Sequence, residues 1–219
     1  MKKMIALAMA MTMGLSLVAC GSSDTAASTD AAAETTEAAD TADTAEETEV
    51  PSAGGSYTIG ICQLVQHEAL DAATQGFKDA IVEALGEDAV TFDEQNAQGD
   101  SNTCATIING FVAEDADLIL ANATAALQAA QAGTSEIPIL GTSVTEYGVA
   151  LGIDDFDGTV GGNISGTSDL APLTEQAAML NELFPDAKNV GLLYCTAEAN
   201  SQYQVDEVQK ALEGMGYTC

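Results

Sequence analysis

The chain has 219 residues and a formal net charge of −29, and its five basic side chains are all lysines. A nucleic-acid interface needs a basic surface to neutralise phosphates, so this composition excludes nucleic-acid binding. The chain has one histidine, and its cysteines show no CxxC spacing. This pattern fits no zinc site, and we expect neither a metal nor a cofactor.

Residues 1–19 have the pattern of a secretory signal. Lys2 and Lys3 precede an apolar run from Ile5 to Val18 that is too short to span a bilayer. The run ends in Leu-Val-Ala-Cys, which resembles the lipobox of bacterial lipoproteins, where cleavage precedes the cysteine and its thiol is lipidated. A plain secretory signal beside a cysteine is the alternative. We predict a signal peptide over residues 1–19 and lipidation of Cys20.

Residues 20–56 form an acidic stretch that is rich in alanine and threonine, with one strongly apolar residue, Val50. Such a segment buries too little apolar surface to offset the entropy lost on ordering. An alanine-rich helix is the alternative, but the many Thr, Asp and Ser residues disfavour it. We predict a disordered linker that holds a folded domain away from a membrane surface.

From Tyr57 onward, short β-branched runs alternate with helical stripes of apolar residues. The predicted elements are a strand at 57–61, a helix at 68–85, a strand at 89–92, a helix at 100–113, a strand at 117–121, a helix at 124–132 and a strand at 137–140. Gly86 is expected to end the first helix. The alternation predicts right-handed βαβ units and a parallel sheet in an α/β lobe at 57–170.

A second α/β pattern follows residues 148–166, which are rich in Gly and Asp and predict an irregular connection with short strands. Its predicted elements are a helix from Pro172 to Pro185, a strand at 189–195, and a helix to Leu212 that begins with a capping box of Ser201 and Gln204. The chain stops at Cys219, where another strand would begin. Residues 171–219 therefore predict the incomplete, truncated start of a second lobe.

Four cysteines follow Cys20. We expect Cys62 and Cys195 to be small buried residues, because both fall in strand-like runs. Whether any of the four form a disulfide is left open by their spacing.

Four motifs of the folded part are specific: QHEALD at 66–71, ANAT at 121–124, NISGTSD at 163–169 and LLYCTAEANS at 192–201. They resemble the ABC-transporter substrate-binding proteins of the TrpX type, and the resemblance runs from Tyr57 to the C-terminus. It implies a two-lobed periplasmic-binding-protein type I fold with a parallel Rossmann-like sheet in each lobe. Family members continue through the rest of the second lobe and return to the first, and those elements are absent here.

The resemblance implies an extracytoplasmic receptor on the outer face of the cell membrane that closes around a small molecule and presents it to an ABC permease. Relatives of this type bind aromatic amino acids, so an amino acid of that class is the expected ligand. A sensory module of the same fold is one alternative. A secreted α/β enzyme is another, but the sequence has no GxSxG or other catalytic motif, and we predict no enzymatic activity.

Ligands of open α/β sheets bind beyond the carboxyl ends of the strands. The candidate ligand-binding residues follow such ends and agree with the family motifs: Gln63, Gln66, His67, Asn122, Thr124, Thr142, Ser143, Ser168, Asp169, Glu198, Asn200 and Ser201. Helix N-termini at Thr124 and Ser201 suit a carboxylate, and Asp169 or Glu198 suits an ammonium group. For each residue the alternative is a helix cap or a turn.

His67 is the one histidine of the chain. A metal site there would lack ligands beyond Asp71, and a general base would lack a nucleophile. The two remaining interpretations are a solvated helix start and a ligand contact at the edge of the cleft. We predict the ligand contact.

Overall fold

The computed structural model describes residues 56–219. The predicted signal peptide, the predicted lipidation of Cys20 and residues 20–55 of the predicted linker lie outside this range. Within it, no helix is both long and apolar enough to cross a membrane.

Residues 56–219 form five strands and six helices, which alternate as far as the fifth helix, with a short 3₁₀ turn at Glu87–Ala89. They are β1 (Tyr57–Gln63), α1 (Glu68–Leu85), β2 (Val90–Asn96), α2 (Ser101–Ala113), β3 (Leu118–Asn122), α3 (Thr124–Gly133), β4 (Ile139–Val144), α4 (Tyr147–Leu151), β5 (Ile164–Ser168), α5 (Leu173–Leu183) and α6 (Ala199–Gly214). The seven elements predicted before residue 141 are all present. Gly86 follows the first helix with φ 90°, as expected of a residue that ends a helix.

The strands form one parallel sheet in the order β2-β1-β3-β4-β5, which confirms the predicted α/β architecture. Strands β1 and β3 pair so that Gln63 lies beside Asn122, and β3 and β4 pair so that Asn122 lies beside Thr142. Three candidate residues therefore stand in one row at the carboxyl edge of the sheet.

Helices cover both faces of the sheet, and because alternate side chains of a strand point to opposite faces, the central strands β1, β3 and β4 contribute to two cores. Ile59, Ile61 and Leu120 form the core under α1, and Cys62 and Ala121 belong to the larger core under α2 and α3. Gly60 explains how closely α2 approaches, since a Cβ there would lie 2.5 Å from the ring of Phe111.

The segment between β4 and α5 differs in part from its prediction. A short strand is present, as expected, but α4 is an additional helix. The Glu146 carboxylate caps it by accepting hydrogen bonds from the N–H groups of Gly148 and Val149, at 2.9 and 2.6 Å. A glycine-rich segment gives no periodic pattern for a helix of five residues.

Helices α5 and α6 pack on a small core of their own, which contains Ala177, Leu212 and Tyr217. The predicted strand at 189–195 is wrong. Asn189 makes one isolated bridge to Thr218, and the side chain of Leu193 is fully exposed. A strand needs a hydrogen-bonded neighbour along its length, and residues 56–219 supply one only at that end.

Two further predictions in this region are wrong. Cys195 is exposed because its segment joins no sheet, whereas Cys62 is fully buried as expected. The capping box also fails, because α6 begins earlier, with Glu198 as its N-cap. Ser201 lies in the first turn, where its hydroxyl accepts a hydrogen bond from the N–H of Cys195 at 3.0 Å.

Candidate ligand-binding site

Gln63 and Asn122 form a buried polar network at the carboxyl edge of the sheet. Asn122 is fully buried, and its Nδ2 donates to the Leu70 carbonyl at 2.8 Å and to Thr74 Oγ1 at 2.9 Å. The Thr74 hydroxyl donates to Gln63 Oε1 at 2.7 Å, and Gln63 Nε2 donates to Asp71 Oδ1 at 2.6 Å. The network fastens α1 to β1 and β3, so these two side chains face α1.

A cleft of about 170 Å³ opens beside this network, between the ends of β3 and β4 and the start of α6. We call it the strand-end cleft. It is lined by Leu64, Ser101, Ala123, Thr124, Ala125, Gln128, Ser143, Ala197, Glu198, Ala199 and Asn200. Four of the candidate residues meet here, namely Thr124, Ser143, Glu198 and Asn200.

Three helices begin at the strand-end cleft. Ser101, Thr124 and Ala199 are the first residues of α2, α3 and α6. The N-cap side chain of α2 accepts a backbone hydrogen bond, whereas those of α3 and α6 do not. The first N–H groups of a helix have no partner within the helix, and together with the helix dipole they favour a negative charge.

The lining of the cleft carries one charged side chain. The lining includes no Lys, Arg or His, and its one ionisable group is the exposed carboxylate of Glu198. An anion in this cleft would thus be held by backbone N–H groups and the hydroxyls of Thr124 and Ser143. A cation would be held by Glu198.

Two residues of the cleft have a backbone conformation with positive φ, which residues other than glycine rarely adopt. Ala123 has φ 100° and Ser143 has φ 55°. Ala123 is the N-cap of α3, and its N–H donates to the Thr142 carbonyl at 3.0 Å, which fixes the turn against β4. Such strained positions persist where the surrounding structure holds them, and they concentrate at ligand sites.

The candidates of the first loop lie apart from this cleft. His67 is the N-cap of α1, where its Nδ1 accepts a hydrogen bond from the N–H of Ala69 at 3.2 Å. Both His67 and its neighbour Gln66 are exposed. This geometry matches the interpretation of His67 as a solvated helix start, and a ligand contact by either residue stays a prediction.

The other candidates also lie outside the cleft lining. Ser168 donates to the Thr145 carbonyl at 2.7 Å, and the N–H of Asp169 donates to the Val144 carbonyl at 3.0 Å, so both residues shape the turn after β5. Thr142 lines a groove of about 420 Å³ on the α1 side of the sheet. Ser201 lies in the first turn of α6, where its hydroxyl accepts a hydrogen bond from the backbone N–H of Cys195.

A larger cavity of about 530 Å³ lies between α4, β5 and residues 156–161, and of the candidate residues Ser168 lines it. Tyr147 also lines it, with a hydroxyl that donates to the Thr167 carbonyl at 3.2 Å. Burial, with a smaller contribution from the Asp169 carboxylate, raises the pKa of Tyr147 to about 12. The surroundings of this phenol therefore disfavour its ionised form.

Sequence reasoning also missed Ser101 and Gln128 in the strand-end cleft. Ser101 follows the end of β2 at the start of α2, so the rule that selected the residues after β1, β3 and β4 would have found it. Gln128 is one turn inside α3, and no local signal distinguishes it from a surface residue.

Residues 58–219 match the family model described as ABC transporter substrate binding protein. The chain belongs to this family. A tyrosine-binding protein of Clostridioides difficile (strain R20291) is 41% identical over 152 residues, which are 68% of this chain and 44% of that protein. The predicted family is thereby confirmed.

Two solved structures are similar to this chain as well. A Streptococcus pneumoniae ABC domain in complex with L-Trp has a TM-score of 0.69 and 32% identity over 75% of this chain and 56% of that one. A ligand-free, open substrate-binding protein of Clostridium difficile has a TM-score of 0.57 and 38% identity over 74% and 55%. The predicted type I fold is confirmed, and the chain spans about half the length of these relatives.

Proposed function

We propose that this protein is a solute-binding protein of an ABC importer that binds an amino acid, of the aromatic class, in the strand-end cleft. The observation that carries this proposal is the meeting of the α2, α3 and α6 N-termini in one cleft whose only charged side chain is Glu198. The aromatic preference rests on the names of two relatives, a tyrosine-binding protein and a domain in complex with L-Trp.

An amino acid carries one negative and one positive group, and the cleft offers a partner for each. The α-carboxylate accepts hydrogen bonds from the first N–H groups of α3 and α6 and from the hydroxyls of Thr124 and Ser143. The ammonium group donates to Glu198. No basic side chain lines the cleft, so these N–H groups and hydroxyls would hold the carboxylate without an arginine.

The proposal is one of binding without turnover. The lining of the strand-end cleft contains no Cys, His or Lys, and the sequence has no motif that would pair one of its hydroxyls with a catalytic base. A bound amino acid would leave the cleft unchanged and pass to a permease. Family members typically work outside the cytoplasm, and the lipid anchor that we predict at Cys20 would hold this protein near that permease.

Calorimetry of the full-length protein against the twenty amino acids tests the ligand class. We expect heat from Trp, Tyr or Phe, and no binding of any amino acid would contradict the proposal. The chain contains five Tyr but no Trp, so fluorescence excited at wavelengths beyond tyrosine absorption reports bound L-Trp without a protein background.

Glu198→Gln tests the role of the carboxylate. A hydrogen bond to a charged group contributes about 1.5–3 kcal/mol, so we expect a loss of affinity of about 10-fold to 150-fold. Glu213→Gln is the matched control, because Glu213 is an exposed residue at the far end of α6. Equal affinities of the two variants would remove Glu198 from the site.

A further inference from the structure

Cys62 and Cys104 face each other across the contact between β1 and α2. Gly60 marks this contact, because its backbone lies against the ring of Phe111. Cys62 lies two residues after Gly60 and so points to the same face of the sheet. Cys104 lies seven residues before Phe111, which is two turns along the same side of the helix. Both cysteine side chains are fully buried in one core.

Backbone hydrogen bonds hold the two elements in this register. The N–H of Ala97 donates to the Gln63 carbonyl at 2.9 Å, and the N–H of Gly99 donates to the Leu64 carbonyl at 2.8 Å. Asp100 then caps α2 by accepting from the N–H of Thr103 at 2.7 Å. The connection that leads into α2 is thus fastened to the end of β1, directly beside Cys62.

We propose that Cys62 and Cys104 are a disulfide-forming site that joins the end of β1 to the start of α2. The two thiols are close enough to perturb each other. Their mutual hydrogen bond lowers the pKa of Cys104 and, together with burial, raises the pKa of Cys62. The other two cysteines beyond residue 56, Cys195 and Cys219, are exposed.

The oxidant is a small-molecule disulfide, such as oxidised glutathione. The Cys104 thiolate attacks one sulfur of that disulfide, which forms a mixed disulfide and releases one thiol. Cys62 then loses its proton and attacks the sulfur of Cys104, which releases the second thiol and leaves the Cys62–Cys104 bond. Two protein thiols are oxidised and one small disulfide is reduced.

The bond would act on the strand-end cleft, although its formation does not depend on the proposed ligand. Leu64 and Ser101 both line that cleft, and they lie two and three residues from the two cysteines. A covalent bond between β1 and α2 would keep the N-terminus of α2 at the cleft. It would also restrict the unfolded chain, so the oxidised protein should resist urea better than the reduced protein.

The lysines make the test direct. Trypsin cleaves after Lys78, Lys188 and Lys210, so Cys62, Cys104, Cys195 and Cys219 fall in four different fragments. The full chain would carry Cys20→Ala, so that Cys62 is the sole cysteine of its fragment. The protein is unfolded with reductant and refolded in a glutathione redox buffer, which removes any limit on access to the buried thiols. Free thiols are alkylated before digestion and mass spectrometry.

We expect the fragments of Cys62 and Cys104 to be linked at least about tenfold more often in the refolded protein than in the same buffer with urea. Linkage no more frequent than in urea would overturn the proposal. Oxidation should also raise the urea midpoint of this protein and leave that of a Cys104→Ala variant unchanged. An equal shift in both would assign the effect to other cysteines and reject the site.

Discussion

Ala123 allows a test of backbone strain in the turn that lines the strand-end cleft, because its backbone conformation is unfavourable for any residue but glycine. Its φ of 100° and ψ of 159° lie in a region where a residue with a side chain is strained by about 1–3 kcal/mol. Replacing Ala123 by glycine removes this strain. It also gives the unfolded chain more freedom, which costs about 0.4–1 kcal/mol. The difference predicts a gain in unfolding free energy on the order of 1 kcal/mol.

Equilibrium urea unfolding followed by circular dichroism measures this gain. The matched control is Ala125→Gly, in the first turn of the same helix and in the same cleft. Ala125 lies inside α3, so glycine there should cost about 0.5–1 kcal/mol. Opposite signs for the two variants are the expected result. A loss of stability in Ala123→Gly equal to that in Ala125→Gly would refute the claim that this turn is strained.

Two further predictions concern the scaffold. Gly60→Ala should cost about 1–3 kcal/mol, because its methyl group would overlap the ring of Phe111. Gly76→Ala should instead stabilise α1 by about 0.5–1 kcal/mol, since nothing lies within 4 Å of the new atom. If urea unfolding shows that both variants change the unfolding free energy in the same direction, the close contact at Gly60 is contradicted. The raised pKa of Tyr147, about 12, predicts that the unfolding free energy falls by up to about 1.4 kcal/mol per pH unit between pH ~10 and ~12. Removing the phenol in Tyr147→Phe should flatten that fall, and an unchanged pH profile would contradict the assigned cause.

The sheet and its helices could be predicted from the sequence because their signals are local. The apolar stripe of α1 and the glycine after it mark both ends of that helix. The strands extend further than predicted because polar residues such as Gln63 and Asn122 continue the ladder through their backbone groups. Hydropathy does not report backbone pairing. The segment 189–195 shows the converse, since an apolar run forms no strand without a neighbouring strand.

The candidate site could be predicted only in part. The rule of strand ends located Thr124 and Ser143, because it depends on topology alone. It also selected Gln63 and Asn122, but the Gln63 amide and the Nδ2 group of Asn122 are engaged in a network with α1, and only the buried Asn122 Oδ1 has no partner among the described residues. The approach of Glu198 to Ser143 depends on how α6 packs against the first part of the chain, and no local pattern contains that information.

A crystal structure of the full-length protein with L-Trp or L-Tyr bound would show whether the strand-end cleft is the ligand site. We expect the ligand carboxylate about 3 Å from N–H groups in the first turn of α3 or α6, and the ammonium group at a similar distance from Glu198. A ligand bound away from the strand-end cleft, for example in the cavity beside Tyr147, would contradict this expectation.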